Sequence, residues 1–170
     1  MKLIAIIGAR LLVGLAYGQQ ATGLPMGLEY MMTRSQVLSQ LKALEAHRVD
    51  SKAADTFAYV VPAPDTNAKN GLFLQFDQNR LVSITSMKSE MDKQLYQTYM
   101  SKLLQQAQQW KSQGVKTVHE DKSNAFYLYR DDKSYISFSG SPLQGKPGRF
   151  SVDLEFTEKR FFEKKHPDRK

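Results

Sequence analysis

A chain of 170 residues, 41% hydrophobic and 24% charged, has the composition of an ordinary globular protein. It contains no cysteine, which excludes disulfides, thiol chemistry, cysteine-ligated zinc and a lipid-bearing cysteine. Its formal charge of +7 points to a polyanion only until the charges are located along the chain.

Lys2 opens a short positive segment, and an apolar run follows from Leu3 to Leu15. That run is shorter than the roughly 20 residues a spanning helix needs. It ends at Ala16-Tyr17-Gly18, with small residues at the two positions a signal peptidase reads, so cleavage is expected after Gly18. Residues 1–18 therefore read as a signal peptide, 19–158 as a single α+β domain and 159–170 as a basic C-terminal tail. The protein is expected in the periplasm or outside the cell. Arg10 interrupts the run, at a cost of roughly 2.5–3.5 kcal/mol on an insertion scale. The competing reading is a buried strand over Leu3–Ile7 turning at Gly8. A dinucleotide fold opens that way, but Gly8-Ala9-Arg10-Leu11-Leu12-Val13 lacks the later glycines of its fingerprint.

Cleavage removes Lys2 and Arg10 and no acid, leaving +5. The tail holds six bases and two acids, or +4, so the body stands at +1. A nearly neutral body argues against nucleic acid as a partner.

The first helix is signalled by Thr33-Arg34-Ser35-Gln36, a capping box flanked by the staple pair Met32 and Val37. Val37, Leu38, Leu41 and Leu44 give its stripe, fading near Ala46-His47. Strands are predicted over Thr56–Val61, Leu72–Phe76 and Leu81–Thr85, with turns at Asn70-Gly71 and Asp77–Arg80. The second helix runs from about Ser89 or Asp92 to Gln113, with Gly114 as its stop. Tyr96, Met100, Leu103, Ala107 and Trp110 mark its inner stripe, and glutamines and lysines cover the rest. Further strands fall at Val115–Val118, Ala125–Arg130 and Tyr135–Ser139. A last strand turns Phe150, Val152, Leu154 and Phe156 inward and Ser151, Asp153, Glu155 and Thr157 outward. Short connections imply an α+β fold: an antiparallel sheet with two helices packed on one face, and a possible tandem αβββ duplication.

The stretch Met31-Met32-Thr33-Arg34-Ser35-Gln36-Val37-Leu38-Ser39-Gln40-Leu41 resembles the G-M-T-x-x-x-V-x-x-x-L opening of small exported domains. These are similar in fold to β-lactamase inhibitor protein and to the small lipoprotein of the outer-membrane β-barrel assembly machinery. Met31 stands where that pattern has glycine, and no cysteine is present to carry a lipid. The resemblance implies a domain that binds proteins rather than one that catalyses a reaction.

Catalytic and metal constellations are sparse. His119-Glu120-Asp121 is the densest acid–base cluster; His119 and Asp121 would share a strand face and, with His47 or His166, could hold a metal. The plainer reading is a polar strand end, and no metal or cofactor is expected. No serine lies in a strand–turn–helix elbow, Gly145-Lys146-Pro147-Gly148 reads as a turn, and no paired carboxylates end an apolar stretch. No catalytic residue is assigned.

Two groups remain as binding candidates. Lys159, Arg160, Phe161, Phe162, Lys164 and Lys165 interleave bases with aromatics, which suits weak contact with an anionic membrane surface or a polysaccharide. The preferred reading is that Phe161 or Phe162 caps the core while the lysines solvate it, because Glu163 and the short length dilute the signal. Tyr127, Tyr129 and Tyr135 are the other group. An odd-length loop near Asp131–Ser134 would bury Phe126, Leu128, Ile136 and Phe138 together and gather the three tyrosines on the opposite face. An even loop would bury Tyr127 and Tyr129 beside Ile136 and Phe138. The odd register is preferred, because it leaves the hydroxyl-bearing rings to meet water. The expected function is a soluble exported protein-interaction module whose partner is another envelope or extracellular protein. The alternatives are a hydrolase or other enzyme with an unrecognised site, and an envelope-associated factor using the basic tail.

Overall fold

A computed structural model of the chain describes residues 24–43, 46–49, 56–61 and 68–169. The expected signal peptide and its cleavage site lie outside them. Among the described residues the fold is α+β, with an antiparallel sheet of eight strands. After α1 (Arg34–Ala43) come β1 (His47–Val49), β2 (Thr56–Val61), β3 (Lys69–Asp77) and β4 (Arg80–Met91). After α2 (Lys93–Ser112) come β5 (Lys116–Asp121), β6 (Phe126–Arg130), β7 (Ser134–Pro142) and β8 (Phe150–Glu158), then α3 (Lys159–Lys165). The sheet order is β1-β2-β3-β4-β8-β7-β6-β5, so each four-strand run is a meander and the two meet at β4 and β8. Strand β1 follows α1 where only a fading helix was expected.

Local signals account for the element ends. Thr33 N donates to Gln36 Oε1 at 2.8 Å and Gln36 N to Thr33 Oγ1 at 3.4 Å, the two halves of the capping box. Asp92 accepts from Leu95 N at 2.8 Å to start α2, and Gly114 leaves it with φ 91. Gln78 and Asn79 both have positive φ, 47 and 62, which turns β3 tightly into β4. Before α2, Glu90 sits at φ 61 within an irregular stretch of β4. Its carboxylate meets Lys69 Nζ at 2.9 Å and Lys146 Nζ at 2.6 Å, and these two hydrogen bonds pull its pKa down to about 2.

Met100, Leu103, Ala107 and Trp110 of α2 lie in a buried cluster with Tyr127, Tyr129, Ile136, Phe138, Leu154 and Phe156. Val37 and Leu41 of α1 lie in another with Leu28, Phe57, Tyr59, Leu72, Leu74, Phe76 and Ile84. Strand β5 is an edge, and its register slips at Val118, which is 40% exposed. Among the described residues no helix is long and apolar enough to cross a membrane.

Candidate functional site

The β6–β7 hairpin takes the register that was not preferred. Arg130 pairs with Tyr135, Tyr129 with Ile136 and Tyr127 with Phe138, which leaves a four-residue, even loop. Asp131 sets that loop: its Oδ1 accepts from Lys133 N at 2.7 Å and Ser134 N at 2.6 Å, and its own N–H donates to Ser134 O at 3.0 Å. Tyr127 and Tyr129 are consequently core residues, 6% and 1% exposed. The Tyr129 ring meets Trp110 edge-on at 6.0 Å and stacks on Phe138, while its hydroxyl donates to Glu120 Oε1 at 3.0 Å. A tyrosine can be buried here because its polar end reaches the sheet edge, where Lys111 also holds Glu120. Burial and the Glu120 contact push the Tyr129 hydroxyl pKa well up. These two rings therefore offer no surface, and the expected tyrosine cluster does not form.

Tyr135 faces the other way, opposite Arg130, and is 1% exposed because Phe162 stacks on it with ring centroids 3.9 Å apart. The segment expected as a tail thus opens with α3, which packs against the sheet. Glu158 caps it by accepting from Phe161 N at 2.8 Å, and Lys159 N donates to Lys133 O at 2.9 Å. Arg160, Lys164 and Lys165 are exposed; Lys159 and Phe161 are half-buried.

Residues that pair directly across antiparallel ladders share a face. On the face that Tyr135 joins, one row runs Phe73, Thr85, Glu155, Ser137, Leu128. The next runs Gly71, Met87, Asp153, Ser139, Phe126, and another Gln75, Ser83, Thr157, Tyr135, Arg130. The outward residues of β8 thus meet hydroxyls on β4 and β7. Ser83 Oγ donates to Glu155 Oε1 at 3.0 Å, Thr157 Oγ1 donates to the same oxygen at 2.9 Å, and the two hydroxyls lie 3.1 Å apart. Ser83 and Thr157 are buried, whereas Asp153, Glu155, Ser137, Phe73, Met87 and Phe126 stay half-exposed. Neither Asp153 nor Glu155 belongs to an ion pair found among the described residues. Partial burial, reinforced by the charge of Glu155, raises the Asp153 pKa above the usual aspartate range.

A raised carboxyl pKa means that the folded state holds the proton more tightly than the unfolded chain. Ionised Asp153 then opposes folding, and its cost fades as pH falls through the folded pKa. Asp153→Asn should accordingly raise the melting temperature at pH 7, with the advantage shrinking to nothing in acid below the ordinary aspartate pKa. A difference independent of pH would mean that ionisation is not the cause.

The strand pattern alone placed Asp153 and Glu155 on a wet face and gave them no role. Their alternation with apolar residues is visible in the sequence; that β8 is a central strand, so that this face is half-covered, is not. His119 and Asp121 do share a face, but the His119 ring leans on Phe126 at 5.9 Å and Asp121 is held by Asn124 in the turn. His47 lies on β1, at the opposite edge of the sheet, and His166 packs on Phe162. Among the described residues no three histidine or acidic side chains converge as metal ligands would. Comparison with protein-family profiles, with curated proteins and with solved structures finds no match for this chain.

Proposed function

We propose that this chain is an exported, non-catalytic protein-interaction module that engages its partner through the hydroxyl-rich face of β4, β7 and β8. The observation that carries the reading is the half-exposed pair Asp153 and Glu155, in no ion pair among the described residues and framed by Ser137, Ser139, Phe73, Met87 and Phe126. Carboxylates on such a face cost stability and gain a counter-charge when a partner supplies lysine, arginine or backbone N–H groups. The flanking apolar residues supply the area that excludes water around those contacts. Ser83 and Thr157, the hydroxyls bonded to Glu155, are only 3% and 6% exposed, which favours binding over hydrolysis by either of them.

Export rests on Lys2, the apolar run to Leu15 and the small residues Ala16 and Gly18. The resemblance to inhibitor-like exported domains gives the same direction. Met31 has φ 67, the left-handed conformation suited to the glycine of that pattern.

The test is capture from the envelope fraction of the source cells. Protein recovered there should have the intact mass of a chain beginning at Gln19, and should hold a partner. Asp153→Asn combined with Glu155→Gln should release that partner while keeping the cooperative melt, whereas Lys93→Gln on α2 should not. Retention of Met1 would remove export, and a partner retained by the double variant would remove the face.

A further inference from the structure

We infer that the outer side of α3 docks on an anionic lipid bilayer, a contact separate from the sheet face. In sequence, Glu163 dilutes the run of bases; folding turns it away. Phe162 is fixed on Tyr135, and the Tyr135 hydroxyl donates to Glu163 Oε1 at 3.3 Å, so one side of α3 is committed to the sheet. At about 100° per residue, Arg160, Phe161, Lys164 and Lys165 occupy the other side.

Arg160, Lys164 and Lys165 are exposed, and Lys164 has only a 3.9 Å approach to Asp77, with the two side chains 75% and 42% exposed. Half-buried Phe161 stands among them, with Lys165 Nζ 4.5 Å from its ring centre. Asp168 follows in the short turn Pro167–Arg169. In sequence the segment from Lys159 carries +4 of the chain's +7, and among its described side chains Lys159, Arg160, Lys164 and Lys165 outnumber Glu163 and Asp168, so α3 bears a net positive charge. Charge complementarity selects an anionic partner, and an aromatic ring among the bases selects a headgroup interface over a dissolved polyanion.

The test is co-sedimentation of the full chain with mixed phosphatidylglycerol–phosphatidylcholine vesicles. All variants keep residues 1–23, so any contribution of the apolar leader is common to them. Each base near an anionic surface changes affinity about fivefold, so Arg160→Gln, Lys164→Gln and Lys165→Gln together should weaken binding about a hundredfold. Binding should fall steeply with added salt and be weak on pure phosphatidylcholine. Phe161→Ala should reduce vesicle binding and leave retention on dextran sulfate unchanged. Equal binding by the triple variant, or indifference to salt, overturns the proposal. Binding to dextran sulfate as tight as to vesicles, with Phe161→Ala affecting neither, also overturns it by favouring a polyanion. Should the triple variant fail to melt cooperatively, the salt and lipid dependence of the parent chain decides alone.

Discussion

Tyr129→Ser should cost about 3–5 kcal/mol, the range for removing a large aromatic ring from a packed core. The ring is 1% exposed and touches both Trp110 of α2 and Phe138 of β7, so its loss opens a space where helix meets sheet. Domains of this size are stable by about 5–15 kcal/mol, so one substitution removes a large fraction. Guanidinium unfolding should show a lower midpoint at unchanged slope. Tyr129→Phe keeps the ring and loses only the hydroxyl that donates to Glu120, so it should cost about 1 kcal/mol. The pair separates packing from hydrogen bonding. Near-parental stability of Tyr129→Ser would mean that the ring faces water, and with it the odd register of the β6–β7 hairpin.

The second large effect is expected at Gly140, where the neighbour rather than the backbone demands glycine. A Cβ added there would lie 2.5 Å from Tyr96 Oη, 2.8 Å from Cε2 and 3.0 Å from Cζ. Tyr96 cannot swing aside freely, because its ring stacks on Phe150 with centroids 4.7 Å apart. Alanine in a strand would otherwise gain about 0.5–1 kcal/mol over glycine. Overpacking costs about 1–3 kcal/mol, so Gly140→Ala should be destabilising on balance. Tyr96→Leu should relieve the clash, and the double variant should be more stable than the sum of the two single losses requires. Additive losses in thermal melts would show that the Tyr96 contact is not what constrains Gly140.

The parts of this fold legible in the sequence are those set by neighbours along the chain. Thr33 and Gln36 announce α1, Asp92 and Gly114 bracket α2, and the alternation from Phe150 to Thr157 gives β8 with its faces assigned. The hairpin failed because its parity depends on how Asp131 folds the loop onto Lys133 and Ser134, a single-residue matter that inverts a whole strand. Preferring to bury phenylalanine over tyrosine overlooked that a tyrosine near an edge can bury its ring and still bond its hydroxyl. Helix α3 was hidden because seven residues carry too little of a 3.6-residue period, and the adjacent Phe161 and Phe162 diverge only once the helix is wound. The site was half visible: Asp153 and Glu155 share a side by spacing, but their hydroxyl neighbours come from β4 and β7 through pairings of long range.

Strand β5 ends the sheet with backbone donors and acceptors facing outward, the arrangement onto which another chain could add a strand. The slip at Val118 breaks the even spacing that such an addition copies, and Lys116, His119 and Asp121 place ionisable groups along the same short strand. The irregular stretch around Val118, which is 40% exposed, makes β5 a poorer template for strand addition than an evenly paired edge. A chain lacking Val118 would have a straighter border, the evenly spaced geometry that strand addition copies.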